Sequence, residues 1–208
     1  MLTVEQLAGF LAAAVIITAS PGPDNLMVLS MGMSQGRKRG IAFGLGCELG
    51  CLSHTALAVI GVSALIAASP PAFLGLKIAG GLYLVWLGAG ILRSRSRITV
   101  QALDDDGQCL LALFFKGVLA NALNPKVVLF FLSFLPQFIV PANGHVTVQT
   151  LALGMLFTVQ AAILFSLLAV FSGAVGQWLS ARRHAARLLD CLAGMVLVVL
   201  GLRLLVFH

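Results

Sequence analysis

A chain of 208 residues that is 60% hydrophobic and only 10% charged holds more apolar side chains than one soluble core could hide, since soluble domains are about a quarter charged. Its net charge of +6 does not point to nucleic acid, because the Lys and Arg residues stand in clusters between apolar runs and form no basic face. The composition predicts an all-α integral membrane protein in contact with the lipid bilayer, with spans of roughly 20 apolar residues each.

The N-terminus lacks a basic n-region and a small-residue cleavage site, so the first apolar run reads as a retained helix. Span one covers about residues 4–33 and is broken by Ser20-Pro21-Gly22-Pro23-Asp24-Asn25; Arg37, Lys38 and Arg39 follow. Span two covers about 40–68, Pro70 and Pro71 form a turn, and span three covers about 73–92. A polar loop then carries Arg93, Arg95, Arg97 and Asp104, Asp105 and Asp106. Span four, about 110–135, is broken by Asn124-Pro125-Lys126, and the loop at 136–145 has no formal charge. Span five covers about 146–178; Arg182, Arg183, His184 and Arg187 precede span six, about 188–207. Basic loops follow spans one, three and five only, which places both termini outside.

The order of features repeats. The segment from Gly81 to Leu92 aligns with that from Gly194 to Leu205, with Gly81/Gly194, Leu84/Leu197, Val85/Val198, Leu87/Leu200, Gly88/Gly201 and Leu92/Leu205 identical. Each half opens with a Pro-broken span and closes on this Gly-Leu segment. Three spans per half insert in opposite senses, so the fold expected is about six transmembrane helices as two inverted three-helix repeats. The whole chain, 1–208, reads as one transporter domain, with repeat one at about 1–95 and repeat two at about 108–208.

Pro inside a helix removes a backbone hydrogen bond, and in lipid every freed carbonyl needs another partner. Broken helices in matching positions of two repeats point to a midplane binding site. Ser20, Pro21, Gly22, Pro23, Asp24 and Asn25, with Asn121, Asn124, Pro125 and Lys126, are therefore the candidate substrate-binding residues. Exposed carbonyls suit an ammonium group, and the helix N-terminus near Asp24 suits a carboxylate. Together they suit a zwitterion. The plainer alternatives are structural kinks, with Asp24 only an N-cap and Lys126 only a countercharge for Asp24 or Glu48.

Asp24 lies 13 residues before Arg37, roughly 20 Å along a helix. Glu48 lies 9 residues after Arg39, roughly 13 Å. Both depths fall inside a hydrocarbon core about 30 Å thick, where charges usually face a cavity. Glu48 is the first candidate for proton coupling, Asp24 the second, and His54 a third, although His54 also reads as a helix-packing residue. Gln160 reads as a link between helices, and Gly40, Gly44, Gly46 and Gly50 as a close-approach stripe. The four Cys, at 47, 51, 109 and 191, have no metal spacing with His and read as small packing residues, or else as a redox pair at Cys47 and Cys51. No nucleophile elbow, phosphate loop or metal motif appears, so no enzyme, metal or cofactor is expected.

These residues resemble the LysE/RhtB family of amino-acid exporters. The resemblance rests on the SPGPDN stretch at 20–25, the GxxRGxxFGLG-like run from Gly36 to Gly46, and the run Asn121-Ala-Leu-Asn-Pro-Lys126 with Phe130 and Pro136-Gln137-Phe138 after it. It implies a secondary transporter of the bacterial inner membrane that exports amino acids or their derivatives by proton antiport. Its partners would be the amino acid, protons and lipid, and a homo-oligomer is compatible with it. Some relatives carry an acid near the position of Cys51. A passive small-solute channel is the alternative; a transmembrane thiol–disulfide carrier would need Cys in both broken helices, which SPGPDN and NPK lack.

Overall fold

The computed structural model describes residues 2–20, 22–68, 70–93, 107–181 and 183–206. Pro21, Arg95, Arg97, Asp104 to Asp106 and Arg182 lie outside these residues. All regular structure among the described residues is helical.

Helix α1 (Val4–Ala19) opens with a capping box: Thr3 Oγ1 accepts from the Gln6 N–H, and Gln6 Oε1 accepts from the Thr3 N–H at 2.7 Å. It gives way at Ser20, and α2 (Pro23–Ser34) starts with Pro at a first-turn position, where a missing N–H removes no helical bond. The two are bent by 59°. Gly36, at φ +92°, turns the chain into α3 (Arg37–Ala68), a backbone angle that glycine adopts without Cβ strain.

Helix α4 is Pro70–Arg93. Pro70 and Pro71, expected to form a turn, instead occupy the first turn of this helix, where proline is tolerated. The second half repeats the interruption. Helix α5 (Leu110–Ala122) stops before Asn124, and α6 (Pro125–Leu129) passes into a π turn at Phe130–Phe134 and a 3-10 turn at Leu135–Phe138. This pair is bent by 49°. A further 3-10 turn, Pro141–Asn143, leads to α7 (Val146–Val170), α8 (Ser172–Ala181) and α9 (Arg183–Val206). The apolar run read as span five is thus divided at Phe171.

Among the described residues two stretches are long and apolar enough to cross a membrane, Arg37–Gly61 and Val146–Val170, or up to four if each bent pair counts as one span. The difference from six lies in α4 and α9, whose described apolar parts, Ile78–Arg93 and Gly194–Arg203, fall short of the roughly 20 residues a span needs.

Apolar side chains cover the outside as well as the core, and a set of polar side chains is buried among them. Trp86, Leu119, Ile163 and Val199 are exposed, while Asp24, Glu48, His54, Asn121, Asn124, Lys126, Gln149 and Gln160 are buried. Lipid would cover the first group, and the second must find partners inside.

Glycine sets the helix contacts. In α3, Gly46 meets the Phe114 carbonyl of α5 and Gly50 that of Val118, so these two helices run parallel. Gly40 meets Ala169 while Gly154 meets Thr55, so α3 and α7 run antiparallel. Helices α4 and α9 are also antiparallel: a Cβ at Gly88 would stand 2.6 Å from the Gly194 carbonyl, and one at Gly201 2.6 Å from the Gly81 carbonyl. The aligned pairs Gly81/Gly194 and Gly88/Gly201 are thus cross-matched in space. Backbones this close leave no room for a methyl group.

Candidate functional site

The last carbonyls of a helix have no partner within it. At the end of α1 three carbonyls, of Ile16, Thr18 and Ser20, find partners. Ser20 donates both its N–H and its hydroxyl to the Ile16 carbonyl, at 2.9 and 2.8 Å. The Thr18 carbonyl accepts from Asn25 Nδ2 at 2.7 Å. The Ser20 carbonyl accepts from Lys126 Nζ at 2.8 Å, a donor from the other half of the chain. Gly22 leaves the room for this, since a Cβ there would stand 3.3 Å from Lys126 Nζ.

At the start of α6 the roles reverse. Asn124 is the N-cap, its Oδ1 accepting from the Lys126 N–H at 3.0 Å. That leaves its amide nitrogen free to reach Asp24 Oδ2 at 2.8 Å, and Asn121 Nδ2 reaches the same oxygen at 2.9 Å. Asp24 sits in the first turn of α2, but the cap position there is Gly22, with no side-chain cap bond. Its carboxylate accepts across the molecule from the second break. Lys126, for which the sequence leaves open a binding role or a countercharge to Asp24 or Glu48, lines the same cavity as both acids and directs its ammonium to a backbone carbonyl.

Glu48 enters from α3. The thiol of Cys51, one turn on, lies 3.5 Å from Glu48 Oε2 and 3.3 Å from Asn121 Oδ1. His54 Nε2 is 3.0 Å from the Asn121 carbonyl, and its ring lies against Phe131 with centroids 5.8 Å apart. Its Nδ1 is buried with no partner. Gln160 Nε2 donates to Thr18 Oγ1 at 2.8 Å and ties α7 to α1.

Asp24, Asn25, Glu48, Asn121, Asn124 and Lys126 line one cavity, together with Thr18 and Cys51. Ile17, Val127, Phe130, Phe157, Ala161 and Phe165 form its apolar wall. Its volume is about 20 Å³, enough for about one water molecule and far below the roughly 300–1,000 Å³ of small-molecule sites. Of the other residues singled out in the sequence, Ser20 contributes its carbonyl, Pro23 and Pro125 open α2 and α6, and His54 stands behind Asn121, outside the lining.

The sequence matches the LysE type translocator family over residues 15–207. The chain belongs to the LysE family of translocators. A leucine efflux protein of Enterobacter sp. (strain 638) is 30% identical over 200 residues, 96% of this chain and 94% of that protein. An uncharacterized membrane protein of Vibrio cholerae is 35% identical over 157 residues, 75% of this chain and 76% of its own length. One of Bacillus subtilis is 26% identical over 208 residues, 96% of this chain and 98% of its own length. No solved structure matches it significantly.

As a LysE-type translocator the protein is a membrane transporter and not an enzyme. Three cavity features of this translocator escaped the sequence reading. Cys51 reads in the sequence as a packing residue or as half of a redox pair with Cys47, although its place three residues after Glu48 puts it on one helix face with that acid. Thr18 precedes the break by two residues and carried no signal of its own. The apolar wall is drawn from α1, α6, the π turn and α7, and only the folded chain assembles it.

Proposed function

We propose that this translocator exports neutral amino acids with apolar side chains from the bacterial cytoplasm across the inner membrane, in exchange for protons. One observation carries the reading: the two breaks are bonded to each other through groups that match the two ends of an amino acid. The Lys126 ammonium occupies the Ser20 carbonyl, and the Asp24 carboxylate occupies the Asn121 and Asn124 amides. A zwitterion entering between them meets an acceptor for its ammonium in Asp24 and the Ser20 carbonyl. Its carboxylate meets donors in Asn121, Asn124 and Lys126. The apolar wall suits a side chain such as leucine's, in keeping with the leucine efflux relative. A cavity closed to about 20 Å³ favours a carrier that opens over a standing channel.

Proton coupling is supported by the bonding around Cys51. One S–H donates to one acceptor at a time, yet the thiol touches two. A proton on Glu48 completes the chain: Glu48 O–H to Cys51 Sγ, Cys51 S–H to Asn121 Oδ1, and Asn121 N–H to Asp24. The cavity also holds two carboxyl groups and one ammonium, and a proton is the smallest ion that makes up the difference. Six spans in two inverted repeats, at about 1–95 and 108–208 and with both termini outside, belong to the same reading. The parallel run of α3 with α5, the antiparallel runs of α3 with α7 and α4 with α9, and the cross-matched glycines support it.

Transport of labelled L-leucine in proteoliposomes tests both parts. Leucine should exchange, while leucinol and 4-methylpentanoate, each lacking one charge, should not compete. Glu48→Gln should keep exchange and lose accumulation driven by an imposed pH gradient. Accumulation equal to wild type would move the coupling role to Asp24 or His54. Passage of all three solutes without exchange would return the passive channel.

A further inference from the structure

A second cavity, of about 740 Å³, opens where the N-terminus of α1, the 134–140 segment and the end of α9 meet. The positive-inside pattern places these three segments on the outer side. Its size falls within the range of small-molecule sites. Two charged side chains line it, Glu5 from α1 and Arg203 from α9, with Gln6 and Gln137 beside them. Glu5 and Arg203 form no ion pair with each other or with another described residue. Arg203 also stands at the end of the molecule where the charge pattern disfavours a basic residue, so its presence calls for a role other than orientation.

A row of phenylalanine rings joins the lining of the central cavity to that of this outer one. Phe157 and Phe130 border the central cavity, and Phe134 and Phe138 the outer one. The rings run in sequence, with centroids 5.1 Å apart from Phe157 to Phe130, 5.2 Å on to Phe134 and 5.3 Å on to Phe138. Phe130 and Phe134 belong to the π turn, an irregularity that recurs at functional sites. This row of rings links the lining of the central cavity to that of the cavity holding Glu5 and Arg203.

We propose that the outer cavity is a second binding site for the exported zwitterion, in which Arg203 takes its carboxylate and Glu5 its ammonium. The site rests on the export reading and gives it an exit station. A phosphate alone would be repelled by Glu5, so the chemistry required is a paired anion and cation. A free amino acid and the headgroup of phosphatidylethanolamine both supply it.

Right-side-out membrane vesicles loaded with labelled L-leucine give the half-saturation for unlabelled leucine on each face. Arg203→Gln should raise the external value about tenfold, the scale of one charge-assisted bond, and leave the internal value within about twofold. Glu5→Gln should act in the same direction, and Arg203→Gln should leave leucinol's external half-saturation unchanged, because leucinol has no carboxylate for Arg203 to hold. In a cysteine-free background, Ala12→Cys labelled by an impermeant maleimide should be shielded by external L-leucine, and Arg203→Gln should remove the shielding. Shielding without exchange keeps the site and sinks the export reading. Exchange with unchanged external constants in both variants, or no shielding, overturns the site. Effects that appear only in bilayers containing phosphatidylethanolamine, and vanish in phosphatidylcholine with phosphatidylglycerol, reassign it to a lipid headgroup and overturn the amino-acid proposal.

Discussion

At the first break the groups bonded to the second are oxygens: the Asp24 carboxylate and the Ser20 carbonyl. At the second they are nitrogens: the amides of Asn121 and Asn124 and the ammonium of Lys126. The local cause differs too. The first break lies at a helix C-terminus, where the Thr18 and Ser20 carbonyls take side-chain donors before Pro23 restarts the chain, whereas the second is closed by Asn124 as an N-cap. Two similar Pro-containing interruptions therefore yield one acceptor surface and one donor surface. Bonds between these two surfaces join the breaks across the molecule, beside local ones such as Asn25 to the Thr18 carbonyl and the Lys126 N–H to Asn124.

Removing the charge from the acceptor side should have the largest effect. Asp24→Asn is expected to lower L-leucine exchange at least about a hundredfold, roughly 3 kcal/mol of charge-assisted bonding. The variant should still elute as folded protein on size exclusion, because an amide can still accept from one asparagine. Exchange within a few-fold of wild type would show that the acceptor surface needs no charge. On the donor side, Asn124→Ala removes one amide and the cap together. Exchange should fall about tenfold, and thermal unfolding should report a loss of about 1 kcal/mol. An unchanged melting point with reduced exchange would assign Asn124 to the substrate alone.

The smallest effect concerns the link between the surfaces and Glu48. Cys51→Ser keeps a donor and an acceptor in place, so exchange and accumulation should stay within about twofold of wild type. Cys51→Val keeps the volume without the bonds and should weaken accumulation more than exchange. Equal behaviour of the two variants under a pH gradient would cut Cys51 out of the proton path.

Much of the site was legible because it rests on local rules. Proline in an apolar run marks a break, and residue counts from Arg37 and Arg39 set the depth of Asp24 and Glu48. Asn121 and Asn124, three apart beside a break, follow from helical spacing. What escaped depends on how helices approach in three dimensions. Lys126 faces the Ser20 carbonyl because α1 ends beside α6. Cys51 has the composition of a packing residue, and its bonds appear only when α5 brings Asn121 to it. The division at Phe171 has no proline to announce it, and Pro70 and Pro71, read as a turn, are equally good first-turn residues.

The π turn at Phe130–Phe134 has a mechanical consequence. It holds one residue more per turn than the α6 segment before it. Passing that extra residue along the helix by one position would rotate the intervening side chain by about 100° and advance it about 1.5 Å. The flanking helix ends and the chain length would stay the same. A ring of the aromatic row would then turn aside by a change of winding, with no hinge and no movement of α1 or α7. A conformational cycle of that kind would leave the overall outline of the protein almost constant while changing what lies open inside it.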